Sequence, residues 1–204
     1  GMVKQCLRDC LLLSQRVSNE NLFSSNEELH EVHTEHLGLL LVDFFLGELH
    51  DITTDGVRLV HLKLCKNSYK RFLERCKDYK VIDDRGDFEA YAKSLTTDRT
   101  ARVELGKREV QLKRRQREVF EKRKKAATRR IMEEEEGGNG LLGEDEELER
   151  ENALLALELS AIKALNNLTM VEREMEMVKM REEREKDPAL AEQQRAAVQA
   201  KDPG

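Results

Sequence analysis

The feature that most constrains this chain is the absence of proline from its first residue to Asp187, in a sequence of 204 residues. Proteins built from β-sheets turn often, and their turns recruit Pro and Gly. A long proline-free stretch rich in Leu, Glu, Lys, Arg and Ala is instead typical of long helices. The sequence therefore predicts an all-α fold, and it argues against β-sandwiches, barrels and most βαβ enzymes.

Charge and cysteine content narrow the class of protein further. A net charge of −5 argues against a general nucleic-acid binder. The 4 cysteines form no CxxC pair, so neither a zinc ribbon nor a thioredoxin-type site is expected. Free thiols are typical of a reducing compartment, and with no signal peptide visible we expect a cytoplasmic protein. The apolar run from Leu37 to Leu46 is too short to cross a membrane, and no membrane partner is expected.

Aromatic residues divide the chain into two parts, because all of them except Phe120 lie no later than Tyr91. Aromatic side chains bury large areas, so the main core is expected in the first part. The predicted organisation is an aromatic-bearing helical array over 1–93 and a long helical hairpin over 94–187, together one continuous domain, followed by a flexible tail over 188–204.

Three helices are predicted in the first part. The first covers 3–17, the second runs from a capping residue at 25 or 26 to about residue 50, and the third covers 58–79. Ser25 or Asn26 is expected to cap the second, with Glu27 and Glu28 in its positive first turn. Asp55-Gly56 marks a turn before the third helix, and a polar loop over 83–87 follows it. The side chains expected to face the core are Leu7, Cys10, Leu11 and Leu13 in the first helix; Leu37, Leu40, Leu41, Phe44 and Phe45 in the second; and Leu62, Cys65, Tyr69, Phe72, Leu73 and Cys76 in the third.

Two long helices are predicted in the second part, over 98–136 and 144–186. Gly137–Gly140 and Gly143 are expected to form the loop between them, and helices joined by so short a loop pack as an antiparallel hairpin. The acidic block 144–149 favours a helix N-terminus, whereas the block 133–136 should fray a helix C-terminus. The last helix presents one apolar seam, formed by Leu154, Leu157, Ala161, Leu165, Leu168, Val171, Met175 and Val178.

Candidate catalytic or metal-ligating residues are few. His30, His33 and His36 stand three apart, a spacing that differs from the HExxH metal motif, and a polar helix face is favoured over a metal site. No nucleophile–base pairing and no phosphate-binding glycine loop can be picked out. The sequence therefore predicts neither an enzyme nor a bound cofactor or metal.

A basic segment, residues 99–130, is the feature that could carry function directly. Its cations could pair with the acidic last helix, which is the usual role of such a charge run. They could bind RNA or DNA, although the interleaved aromatics that stack bases are missing. They could also bind an acidic patch on a protein partner, because Arg pairs with carboxylates bidentately.

An ordered series of short segments runs through most of 22–185. It resembles the alpha-four (immunoglobulin-binding protein 1) family of type 2A phosphatase regulators, although no single motif in it is diagnostic. The segments are Leu22-Phe23-Ser24 with Asn26-Glu27 and Leu29; Leu40-Leu41-Val42 with Phe45 and Gly47; Arg58-Leu59 with His61-Leu62, Tyr69, Phe72-Leu73, Cys76, Tyr79 and Val81; and Leu154-Leu155 with Leu157, Leu165, Leu168, Val171, Glu174 and Val178.

The resemblance implies antiparallel helix pairs in an array similar to tetratricopeptide or 14-3-3 proteins. It also implies a non-enzymatic adaptor or chaperone that grips the catalytic subunit of type 2A-like protein phosphatases, holds it in a protected, inactive form and acts in target-of-rapamycin signalling. Ubiquitin-pathway proteins are implied partners of the full-length family. We expect this chain to lack the family's ubiquitin-binding pattern, sought over 7–21, and its ligase-recruiting C-terminal segment.

In that family, basic residues near the start of a long helix contact the phosphatase in a pattern Arg-x-x-Lys-Ile. The best match here is Arg99-Thr100-Ala101-Arg102-Val103, with Arg in place of Lys. The resemblance therefore implies phosphatase-binding roles for Arg99, Arg102, Lys107 and Arg108. A register that begins at Arg102 and puts Leu105 second stays open, and so does pairing of these cations with the last helix. The runner-up function is a helical scaffold that binds nucleic acid through 99–130.

Overall fold

A computed structural model of the chain describes residues 1–24, 27–54, 56–82, 88–135 and 142–186, with side chains in these ranges except over 130–135 and 142–144 and at 186. These ranges contain helices and no strand, so the predicted all-α class is confirmed. A short 3-10 helix, Gly38–Leu41, joins the second and third α-helices. The α-helices are α1 (Met2–Asn19), α2 (Thr34–Leu37), α3 (Val42–Asp51), α4 (Arg58–Asp78), α5 (Phe88–Thr97), α6 (Arg99–Glu135) and α7 (Leu142–Lys186).

The main core lies where α3, α4 and α5 pack against the middle of α7. Every side chain predicted to face inward from α4 is at most 3% exposed, and Phe72 and Tyr69 lie beside Phe44 of α3 at ring distances of 5.5 and 6.1 Å. The predicted seam on α7 is confirmed, since Leu157, Leu168 and their neighbours in the seam are buried or partly buried in this core.

The prediction of a second helix is wrong for the residues before 34. Residues 29–32 form turns, and helix begins only at Thr34. The guanidinium of Arg150 on α7 donates hydrogen bonds to the backbone oxygens of Leu29 (2.8 Å) and Val32 (2.7 Å), so tertiary contacts hold this segment in its non-helical path. The predicted caps Ser25 and Asn26 lie outside the described residues.

Two further inward-facing predictions fail on α1 and α3. Phe45 is 48% exposed, although Leu37, Leu40 and Phe44 are buried as predicted. On α1, which packs on α3, Leu11 and Leu13 are exposed, and the packed side is instead formed by Val3, Leu7, Cys10, Ser14 and Val17.

Helix α5 was missed in the sequence. Its buried residues Phe88, Ala92 and Leu95 pack into the main core, and the hydroxyl of Thr169 on α7 donates to the backbone oxygen of Ala92 at 2.9 Å. The helix continues across residues 93 and 94, where the two parts were divided, and side chains from both parts share one core. Gly143 lies in the first turn of α7 and not in a loop. The predicted loops over 83–87 and 137–140, and the tail over 188–204, lie outside the described residues.

The segment Asp145–Glu185 of α7 is long and apolar enough to cross a membrane by length and composition alone. No uninterrupted run of that length is visible in the sequence because Glu158 and Lys163 break it. Some of its apolar residues, such as Leu157 and Leu168, are fully buried in the main core. A helix that packs against several others is expected to carry many apolar residues.

Candidate functional site

The helices α6 and α7 form the predicted antiparallel hairpin. Three ion pairs between the helices show that they run antiparallel, because residues later in α6 pair with residues earlier in α7. The pairs are Arg108–Glu158, Arg115–Glu151 and Arg123–Glu149. Leu112 and Val119 of α6 pack with Leu155 and Ile162 of α7 in a second, smaller core. The hairpin thus turns one side of α6 toward α7 and leaves the other in solvent.

In the described part of the chain, the acidic residues of α7 pair only with those cations of the basic segment that lie on the side of α6 facing α7. Arg108, a predicted contact residue, donates from Nε and Nη2 to Oε1 of Glu158 at 2.6 and 2.5 Å. Its side chain is 55% exposed, so the pair contributes only about 0.2–1 kcal/mol to stability. Arg115 makes a similar contact with Glu151, and this hydrogen bond raises the pKa of Arg115. These arginines tie the hairpin together.

The other predicted residues, Arg99, Arg102 and Lys107, lie exposed on the first turns of α6. Within the described part of the chain, none of the three has a carboxylate within ion-pair distance. Asp98 caps the helix, since its Oδ1 accepts from the backbone N–H of Thr100 (2.8 Å) and of Ala101 (3.2 Å). Basic side chains are unfavourable at the positive end of a helix, so local helix stability does not explain Arg99 and Arg102 at this position.

A partly buried polar network joins α7 of the hairpin to α3 and α4. Glu48 of α3 accepts a 2.7 Å hydrogen bond from the hydroxyl of Tyr69 and a 3.0 Å bond from the amide of Asn167, and Lys163 pairs with the same carboxylate. This set links α3, α4 and α7, and sequence analysis missed it because the partners stand up to 119 residues apart.

A second network lies at the N-terminal end of α4. Arg58 donates to both carboxylate oxygens of Glu174, at 2.6 and 2.8 Å, and to the backbone oxygen of Asp51 at 2.5 Å. The pKa of Glu174 is lowered, first of all by this hydrogen bond from Arg58. The two networks link α3, α4 and α7 through side-chain hydrogen bonds, and α6 packs against α7.

Histidine side chains approach one another in pairs, and Nδ1 of His50 lies 3.2 Å from Nδ1 of His61. His30 pairs with Glu28 at 3.3 Å, and His33 and His36 contact each other edge to face. Among the described residues, no three histidine, cysteine or carboxylate side chains are grouped to hold a metal ion. Burial raises the pKa of the Cys65 thiol to about 12, which disfavours the thiolate that a nucleophile requires.

Comparison with known proteins decides the family. The model of the TAP42-like family matches residues 1–203. The chain belongs to the TAP42-like family. This confirms the resemblance seen in the sequence, and the chain is also similar to a solved structure described as that of the Tap42 alpha4 subunit, with 27% identity and a TM-score of 0.54 over 88% of this chain and 85% of that one.

Curated TAP42-like relatives are named as phosphatase subunits. The PP2A regulatory subunit TAP46 of Oryza sativa subsp. japonica is 29% identical over 188 residues, covering 88% of this chain and 44% of that protein. The serine/threonine-protein phosphatase 4 regulatory subunit ppfr-4 of Caenorhabditis elegans is 36% identical over 85 residues, covering 41% of this chain and 26% of that protein. The chain therefore spans less than half the length of these relatives.

Proposed function

We propose that this chain is a non-enzymatic regulatory adaptor that binds the catalytic subunit of type 2A-like serine/threonine protein phosphatases. It holds that subunit in a protected, inactive form and acts in target-of-rapamycin signalling in the cytoplasm. The proposal is supported by membership of the TAP42-like family and by relatives named as regulatory subunits of PP2A and of protein phosphatase 4.

The observation that carries the proposal is the exposed basic start of α6. Arg99 and Arg102 project from a helix whose opposite side is bound to α7, and within the described residues they have no carboxylate partner. A guanidinium in this state is available to a carboxylate of another protein, which it can bind bidentately. The partner surface that fits is acidic, and Lys107 extends the positive charge by about two helical turns from Arg99.

The test is capture of a purified type 2A catalytic subunit by the full chain. The double variant Arg99→Glu, Arg102→Glu should weaken capture at least tenfold, because two attractions become repulsions. A matched control reverses the charge of two exposed lysines on other helices, Lys63→Glu with Lys179→Glu, and should bind like the wild type. Far-ultraviolet circular dichroism checks that helicity is unchanged in both. Equal binding by both double variants would refute the site, and no capture by the wild-type chain would refute the function.

Protection and inhibition need their own measurement. The bound catalytic subunit should hydrolyse a phosphopeptide more slowly than the free subunit, and it should keep more recoverable activity after mild heating. An adaptor that captures the subunit without slowing it would contradict the inactive-form part of the proposal and leave the binding part standing.

Nucleic-acid binding through 99–130 is the competing function. It is favoured by the exposed cations Lys122, Lys124 and Lys125 beyond the first turns of α6. Counterion release would make such binding fall steeply with salt. It is disfavoured by the carboxylates of α7, which already neutralise Arg108, Arg115 and Arg123. A labelled single-stranded RNA titrated at two salt concentrations measures it directly.

A further inference from the structure

The solvent side of α6 forms one continuous strip, which we call the outer strip. Its members stand at intervals of three and four residues, so they share one helix face. This face lies opposite the buried Leu112 and Val119 and the partly buried Leu105. All are exposed except Gly106, which is half-exposed. The strip consists of Arg99, Arg102, Val103, Gly106, Lys107, Val110, Lys113, Arg114, Arg117, Phe120, Glu121 and Lys124.

Three of these side chains are large, apolar and unpacked. Val103 is 46% exposed, Val110 is 66% exposed and Phe120 is 60% exposed. Single exposed apolar residues are common, but these three share one face with seven cations and one carboxylate, Glu121. Two of the cations, Lys113 and Arg114, pair with Glu109 and Glu118 of the same helix. Among the described residues, Arg99, Arg102 and Lys107 around Gly106 have no carboxylate partner. At about 1.5 Å per residue, the strip extends roughly 38 Å from Arg99 to Lys124.

Gly106 is the second observation that points to a partner. Glycine inside a helix destabilises it relative to alanine, so its presence there calls for a reason. At Gly47 the reason is internal, since an added Cβ would lie 2.6 Å from the ring of Tyr69. At Gly106 an added Cβ would meet no atom within 4 Å. The missing side chain therefore relieves no contact with the described part of this chain, and it leaves a notch between Val103 and Val110.

We propose that the outer strip is a docking surface for an acidic helix of the phosphatase catalytic subunit, which crosses α6 at the Gly106 notch. This rests on the proposed function and extends its contact beyond the first turns of α6. Small residues let two helix backbones approach closely, and Val103 and Val110 supply apolar contact on either side. The cations on both sides select an acidic partner, because like charges across an interface are disfavoured.

The strip also separates the predicted contact residues. Arg99, Arg102 and Lys107 belong to it, whereas Arg108 faces α7 and is held by Glu158. The docking helix therefore meets the first three and is not expected to displace Arg108 from its carboxylate.

The experiment compares Gly106→Ala with Gly38→Ala in capture of the purified catalytic subunit by the full chain. Gly38 is a matched control, because its backbone is helical and a Cβ there also meets nothing within 4 Å. Gly106→Ala should raise the melting temperature, since alanine favours helix, and yet weaken capture about tenfold by filling the notch. Gly38→Ala should leave capture unchanged. A variant that is more stable but binds worse has lost a contact surface and not its fold.

Each of the other outcomes would overturn one stated part of the proposal. If the wild type binds and Gly106→Ala binds equally well, the notch proposal is refuted and the proposed function stands. If Gly38→Ala weakens capture as much, the effect is not local and the notch proposal is refuted. If the wild type does not capture the catalytic subunit, the function and the docking proposal both fail. If Gly106→Ala weakens binding of a labelled single-stranded RNA instead, the partner class is wrong.

Discussion

Gly47 of α3 offers a sharp test of how tightly the support of α6 is packed. A Cβ added there would lie 2.6 Å from Cε1 and 2.7 Å from Cδ1 of Tyr69, closer than real side chains come. The ring cannot easily withdraw, because Tyr69 is fully buried and its hydroxyl bonds both Glu48 and Asn167. Gly47→Ala should therefore force the backbone of α3 away from α4.

The magnitude follows from two opposing effects. Overpacking a well-packed core costs about 1–3 kcal/mol. Alanine in place of glycine returns about 0.5–1 kcal/mol of helix stability. Together these ranges give a net loss of about 0–2.5 kcal/mol in the free energy of unfolding. Because the ring of Tyr69 is held in place, we expect the upper part of that range, about 1–2.5 kcal/mol, which lowers the melting temperature of a chain of this size by roughly 2–10 °C.

The assay is thermal and urea unfolding of Gly47→Ala, with Gly38→Ala as the glycine control that meets open space. A double-mutant cycle with Tyr69→Leu identifies the cause. With the ring removed, Gly47→Ala should be neutral or stabilising, which gives a coupling of about 1–3 kcal/mol, the overpacking cost itself. If Gly47→Ala raises the melting temperature in the wild-type background, as Gly38→Ala should, the reasoning about the Tyr69 contact is wrong.

Two further predictions concern pH and the hairpin. Hydrogen bonds from Lys70 and Lys66 lower the pKa of Glu89 from 4.5 to about 2, so the unfolded chain binds this proton more readily. The stability that Glu89 contributes is therefore complete above about pH 5 and is lost as pH falls toward 2. Glu89→Gln should flatten that part of a plot of unfolding free energy against pH. An unchanged slope would contradict the prediction. Leu112→Ala should lower the free energy of unfolding by about 2–3 kcal/mol, because Leu112 fills the small core of the hairpin. Amide hydrogen exchange should become faster in α6 and stay unchanged in α4. Equally faster exchange in both helices would mean that the hairpin has no local stability of its own.

Helical periodicity predicted the parts of the fold in which one helix face meets one core. On α4, apolar residues recur from Leu62 to Cys76 at intervals of three and four, and all of them are buried. Periodicity also marked α5, where Phe88, Ala92 and Leu95 stand at i, i+4 and i+7, but the short helix was overlooked beside the polar stretch before it. The signal for α5 was thus present in the sequence.

The segment before α2 could not be predicted in this way. Glu27 and Glu28 looked like a helix start, but residues 29–32 are held in turns by Arg150, which stands 118 residues away from Val32. Phe45 fails for a different reason. Its spacing from Leu37 and Leu41 assumes one continuous α-helix, but the 3-10 helix Gly38–Leu41 intervenes, and Phe45 lies 48% exposed. Local propensity is a weak prior, and contacts between distant residues override it.

For the candidate site, the sequence supplied the charge of α6 but not its division between two faces. Every cation in 99–130 looks alike until the rotation of α6 about α7 is known, because the deciding contacts are made by glutamates some 26 to 50 residues further along the chain. Once Leu112 and Val119 fix the inner side, Arg108 becomes a hairpin contact, while Arg99 and Arg102 remain on the outer strip. The spacing of Val103, Gly106 and Val110 was readable from the start, but it gained meaning only when the opposite face proved to be buried.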